Sequence, residues 1–270
     1  MSGGRRTLGD RLGAVDEVLL VPVARGYRRI FAGRRRPHGL TLAACLIAAM
    51  VVAVAVWQAD RAAPAADMPA GQVVKVGVEQ GGSIPAYAEA SRAELGRLTS
   101  AGAQESYALV TFTAYLAPDR LTPILGGVSV AAVYVRVPLP GTQTEIVRIP
   151  VTKVPVDVVT GMDQIADRKA RESQRYADRL RDGADLQMAA VYQSGQKVAD
   201  AEHEAYAQRC SCAYAAVVRA TPAALEQIAR RPDVRVVDAA PEVRRLDRAV
   251  FWPPLPEQRT VATPPGDTRS

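Results

Sequence analysis

The chain has 270 residues, 48% of them hydrophobic and 23% charged, with a formal net charge of +6 and a mean hydropathy of -0.03. That length can bury a sizeable core in one or two domains, and the composition excludes a fully disordered chain and, with three cysteines, a disulfide-dense scaffold. Residues 1–38 hold nine Arg against Asp10, Asp16 and Glu17, so this Arg-rich tail carries the whole net charge and the remainder sums to zero. The basic character therefore points to no nucleic-acid partner.

From Gly39 to Trp57 runs a stretch of nineteen residues without a charge. At 1.5 Å per residue it spans about 28 Å, close to the hydrocarbon core of a bilayer. Arg34, Arg35 and Arg36 precede it, whereas Asp60, Arg61 and Asp67 follow. The positive-inside rule then predicts a single-pass plasma-membrane anchor over 39–57, with a cytoplasmic N-terminus and an extracytoplasmic C-terminus. A cleaved export signal, with Ala63-Pro64-Ala65 as its processing site, is the competing reading. Signal cores of 7–15 residues are shorter than this one, however. Residues 58–71 read as a linker rich in Ala and Pro.

Residues 72–250 read as one α+β domain. Val73–Val78 is a short strand, and Ser83 caps a helix from Ile84 to about Thr99 whose Pro85 sits in the first turn. Tyr107–Leu116 alternates Ala108, Val110, Phe112, Ala114 and Leu116 on one apolar face, which predicts a strand. Pro118 then opens a short helix and Val128–Val137 forms a further strand. The same order recurs near residue 213, where AYAAVVRA is followed by a helix opened at Pro222 and by a strand from Val234. The two helices share a spacing: Pro118, Leu121 and Ile124 match Pro222, Leu225 and Ile228. In each, proline takes the first helical position, where its missing N–H costs nothing, and the apolar pair faces a sheet. Two βαβ halves in one antiparallel sheet, with both helices on one face, make a ferredoxin-like domain.

The stretch Tyr214–Glu242, YAAVVRATPAALEQIARRPDVRVVDAAPE, resembles the second half of the propeptide-type inhibitors of subtilisin-like serine proteases. The resemblance implies a ferredoxin-like fold whose sheet packs on a protease while the C-terminal tail enters the cleft. About 75 residues separate the second strand from the third here, where that family has a tight connection.

Within that insertion, Thr144–Val151 follows a Pro138–Gly141 turn and is expected to hairpin with the preceding strand. Residues of about 161–209 are polar, Ala-rich and free of proline, which suits helix broken at Gly183 and Gly195. Ala184, Met188, Val191, Val198 and Ala205 approximate a heptad stripe with Gly195 in the seam. Such a stripe either packs on its own sheet or forms a coiled-coil surface for a partner, its candidate residues being Ala184, Met188, Val191 and Val198.

Candidate chemistry is sparse. Cys210 and Cys212, with His203, form H-x6-C-x-C, which supplies fewer than the four ligands of a structural zinc site and lacks its usual spacing. The two thiols are open to a tight C-x-C disulfide, a bridge between chains, or a buried free state; a thiol redox or metal role rests on this pair alone. No nucleophile elbow, metalloprotease helix, phosphate loop or dinucleotide fingerprint is present, so no catalytic residue, cofactor or metal ligand is assigned. Residues 251–270 form a Pro-rich tail expected to be extended and disordered, with Phe251 and Trp252 as a candidate aromatic anchor. Together these features predict a non-enzymatic single-pass envelope protein. Its partners are the lipid bilayer and either another envelope protein or a second copy. The alternatives are a tethered inhibitor or chaperone-like module of the propeptide type, and a thiol redox or metal factor.

Overall fold

The computed structural model describes residues 73–264. The Arg-rich tail, the apolar stretch 39–57 and the linker lie outside the described residues, as does the end of the chain from 265. Among the described residues no helix is long and apolar enough to cross a membrane.

The chain order is β1 (Val74–Gly77), α1 (Ile84–Ser100), β2 (Ser106–Leu116), α2 (Pro118–Leu125), β3 (Ser129–Val135) and β4 (Val147–Pro150). It continues through α3 (Val156–Arg181), α4 (Leu186–Ala207), β5 (Ala213–Ala220), α5 (Pro222–Ala229), β6 (Val234–Ala240) and β7 (Ala249–Trp252). The result is a mixed α+β fold with two sheets. Five strands pair antiparallel in the order β4-β3-β5-β2-β6, while β1 and β7 pair parallel in a sheet of their own. The expected hairpin between β3 and β4 is present, with Val133 opposite Ile149. So is the central pairing of β2 with β5, with Val110 opposite Ala216.

Both proline-opened helices bury their apolar pair. Leu121, Ile124, Leu225 and Ile228 are all buried beside Val110, Phe112, Val218 and Val237 in one cluster. Thr221 caps α5 by accepting from the Ala224 amide, whereas Ala117 gives α2 no side-chain cap. The carbonyls that end α2 are met from the other half: the Arg231 guanidinium donates to the Pro123, Ile124 and Gly126 carbonyls. A cation at a helix C-terminus also suits the helix dipole.

The sequence pattern anticipates one buried face of β2, but both are covered. Leu109 and Thr111 are fully buried as well, and β5 is buried without interruption from Ala213 to Val218. The second face carries Leu109, Tyr134, Tyr214 and Val217, packed against Val76, Phe251 and Leu255 from β1, β7 and the segment beyond. This corrects the expected tail: residues 251–264 are a strand and a docked strap, in which Leu255 is 3% exposed. Arg235 holds the strap by donating to the Leu255 and Gln258 carbonyls at 3.2 and 2.6 Å. Its far end returns to the start of α1, where the Ile84 amide donates to the Thr260 carbonyl.

Gly77 joins these layers. Its φ is +107°, and a Cβ there would lie 2.4 Å from the Trp252 carbonyl oxygen across the β1–β7 pair. Its amide donates to Asp238 on β6 at 3.0 Å, and the Tyr87 hydroxyl of α1 donates to the same oxygen at 3.0 Å. Burial pushes the Asp238 carboxyl above its usual range, against those two hydrogen bonds.

Candidate partner-binding surface

Helices α3 and α4 form an antiparallel hairpin whose 26 and 22 residues extend about 39 and 33 Å. The turn between them is short, with Gly183 at φ +91° and Asp185 accepting from the Met188 amide at 2.9 Å. Gly195, expected to break the helical stretch, lies inside α4 instead. A Cβ at this position would come within 2.8 Å of the Tyr176 ring, so the missing side chain is what lets the two helices approach.

The hairpin has two parts. At its base Val158, Met162, Ile165 and Ala166 of α3 and Tyr206 of α4 join the main core. Between 174 and 198 no residue is buried. The distal half therefore adds nothing to the buried core, and across it the Tyr176 and Tyr192 rings lie 6.2 Å apart. The base of the insertion thus packs in the core, whereas no residue of its distal half is buried.

The seam differs from the expected stripe. Tyr192, Gly195, Ala199, Glu202 and Tyr206 recur at alternating steps of three and four and face α3, Ala199, Glu202 and Tyr206 being buried. Of the candidate residues, Ala184 precedes α4 and Val198 is half-buried at the flank of the seam. Met188 and Val191 are 39% and 56% exposed, and Leu186, which the stripe omitted, is 93% exposed. Met188 and Val191, three residues apart, share one exposed face near the start of α4, whereas Leu186 lies on the other side of the helix. A heptad with a glycine in the seam shifts by one position with little change in its hydrophobic count, which is why the pattern misplaced the register.

An ionic cluster that the sequence reading missed sits at the base. Lys169 Nζ lies 2.7 Å from Glu202, 3.0 Å from Glu145 and 3.1 Å from Glu172. Glu145 also binds Arg168 at 2.7 Å, and its amide donates to Glu202 at 3.0 Å. Burial opposes the Lys169 ammonium, but its hydrogen bonds to Glu202 and Glu145 prevail and hold it above the usual lysine range. Burial likewise raises the neighbouring Tyr206 hydroxyl, helped by the Glu202 and Glu145 charges. The available signal was a Lys in register with Met162, Ile165 and Ser173, and a Glu in register with Ala199 and Tyr206: charges on otherwise small or apolar faces.

Cys210 and Cys212 are joined by a disulfide with their Cα atoms 5.3 Å apart. The bridge spans the turn from α4 into β5, where Arg209 has φ +55°. Cys212 is buried, and its carbonyl accepts from the Arg136 amide at 2.9 Å. His203 is turned elsewhere, its Nδ1 2.9 Å from the Ala166 carbonyl oxygen. Phe251 and Trp252 part company: Phe251 is buried against the second face of the sheet, whereas Trp252 is 37% exposed with Lys75 Nζ 5.1 Å above its ring. The anchor thus docks on its own domain through Phe251.

No family model matches the chain, and no curated protein and no solved structure matches it either.

Proposed function

We propose that this chain is a single-pass envelope protein whose folded region, residues 73–264, works by binding and offers the tip of the α3–α4 hairpin to another protein. The observation that carries this reading is the exposure of Met188 and Val191 on one face of α4, in the distal part of a hairpin where no residue from 174 to 198 is buried. A helical pair that reaches beyond its domain and ends in apolar side chains offers anchors for a groove on a partner, a recurrent mode of helix recognition. The tether rests on the uncharged stretch 39–57 and the Arg34–Arg36 flank.

The strand order β3-β5-β2-β6 with α2 and α5 on one side supports a ferredoxin-like core, to which β4 and the hairpin are added as an insertion. The inhibitor reading is less well supported. In the propeptide inhibitors the free sheet face packs on the protease and the C-terminal tail leaves for the cleft. Here β1, β7 and the strap cover that face, and the strap is pinned by Arg235. The metal reading loses support because the disulfide leaves neither thiol free as a ligand.

The test is capture of partners by the full chain from membranes in mild detergent, compared with a Met188→Asp/Val191→Asp variant. A protein retained by the wild type and lost with the variant supports the reading. A binding profile identical in both removes the hairpin tip from it.

A further inference from the structure

The sheet face opposite the helices meets the C-terminal strap at two adjoining cavities. The first, about 460 Å³, lies between Tyr134, Ile146 and Tyr214 on one side and Trp252, Pro254 and Leu255 on the other, and no charged residue lines it. The second, about 430 Å³, is bounded by Tyr115, Arg136, the 138–142 turn and Glu257. Both are walled by Leu255, Gln258, Thr263 and Pro264, so they adjoin along the strap. Each volume falls in the range of small-ligand sites, which are mostly apolar with a few convergent polar groups.

Each cavity is lined by one residue with a buried polar atom of interest, Tyr214 in the first and Arg136 in the second. The Tyr214 hydroxyl and Arg136 Nε have no hydrogen-bond partner among the described residues, although Tyr214 is 1% exposed and the Arg136 side chain 5%. They belong to one cluster: the Tyr214 and Tyr115 rings meet edge to face at 5.9 Å, and the Tyr115 hydroxyl is 2.9 Å from Arg136 Nη1. The chain itself shows what this cluster accepts. Glu257 of the strap brings a half-exposed carboxylate to 2.8 Å from Arg136 and 2.9 Å from the Tyr115 hydroxyl.

We propose that these adjoining cavities bind a single alkyl chain carrying an anionic head, the chain lying in the first cavity and the head at Arg136 in the second. Charge complementarity favours the head: a guanidinium with a free N–H is held in place and faces one half-exposed carboxylate, which a ligand's acid group can displace or join. The wall, without a charged residue and rich in aromatic, proline and aliphatic side chains, suits an alkyl chain.

The test uses the full chain in lipid nanodiscs and photoactivatable dodecyl probes with a carboxylate, a lysophosphatidate or a neutral hydroxyl head, with adducts mapped by peptide mass spectrometry. The expected result is labelling of the peptides around Tyr134–Ile146 and Phe251–Leu255 by the acidic probes. That labelling is lost in Ile146→Trp, which adds bulk in the first cavity, and rises severalfold in Glu257→Gln, which removes the competing carboxylate. Stronger labelling by the carboxylate assigns a free fatty acid, and stronger labelling by the lysophosphatidate a phospholipid-derived ligand. Adducts confined to residues 39–57, or equal labelling by the neutral probe, overturn the proposal. If Ile146→Trp lowers the melting temperature, the Glu257→Gln arm decides, and no gain there is a refutation.

Discussion

Lys169 Nζ and Glu202 Oε2 face each other across the α3–α4 seam at 2.7 Å, with side chains 5% and 2% exposed. They sit where the hairpin leaves the core: on one side Met162 and Tyr206 are buried in the domain, and on the other no residue from 174 to 198 is buried. Glu202 also accepts from the Glu145 amide, so the pair fixes the hairpin's base to the chain just before β4.

Removing one partner of such a pair strands a buried charge. Glu202→Gln is therefore expected to cost about 3 kcal/mol, the low end for broken buried ion pairs, because Glu145 and Glu172 still reach Lys169. For a domain of this size that is a fall of roughly 6–12 °C in melting temperature. The double variant Lys169→Met/Glu202→Leu should lose more than Glu202→Gln, since it also takes Lys169 from Glu145 and Glu172 and the acceptor from the Glu145 amide. Calorimetry on the three proteins checks this, and a double variant as stable as the single one contradicts it.

The same cluster sets a pH dependence at both ends of the scale. Burial opposes the Glu145 carboxylate, but its hydrogen bonds to Arg168 and Lys169 prevail and hold it below its ordinary value of 4.5. A depressed folded-state value contributes stability above pH 4.5 that is lost as pH falls through the folded value. Lys169 is shifted upward from 10.5, so its contribution is complete below that pH and lost as pH rises through its folded value. Compared with Glu145→Gln, the wild type should lose more stability on acidification below pH 4.5. Compared with Lys169→Arg, which keeps its charge, it should lose more above pH 10.5. Thermal melts across both ranges measure this; parallel curves for wild type and variant would refute it.

Met188 and Val191 are exposed, so Met188→Asp/Val191→Asp should change stability by less than about 1 kcal/mol, the sum of two ordinary surface substitutions. In an interface the same two charges must be desolvated, so partner retention should fall sharply. A variant that melts well below the wild type would place the two side chains in the fold's own packing.

The disulfide between Cys210 and Cys212 closes a loop of three residues, for which the chain-entropy argument gives about 1.5 kcal/mol. Cys210→Ser/Cys212→Ser should therefore melt a few degrees lower yet remain folded. Alkylation should label both thiols only after reduction, and a non-reducing gel should show no linked dimer. A dimer band that reductant abolishes would indicate pairing between chains.

Much of the secondary structure was legible in the sequence, because local spacing decides it. The P-x-x-L-x-x-I repeat placed α2 and α5, alternation placed β2, and the Pro138–Gly141 turn placed the β3–β4 hairpin. In each case the side chain that must be buried announces itself within one or two turns of chain. The charge asymmetry around 39–57 is likewise a property of the sequence alone.

What only the tertiary structure decided involves partners far apart in sequence. Phe251 and Leu255 look like part of a free tail until β1, some 175 residues earlier, pairs with β7 and the strap closes on Tyr134 and Tyr214. Lys169 and Glu202 look like ordinary solvated charges until two helices place them within 2.7 Å of each other and exclude water. The seam of α4 was ambiguous by one residue because its hydrophobic pattern is weak; Tyr176, by filling the space over Gly195, fixed the register and left Met188 and Val191 outside. Local pattern records how a segment prefers to fold, whereas burial of a charge or a proline-rich strap depends on which distant surface arrives to cover it.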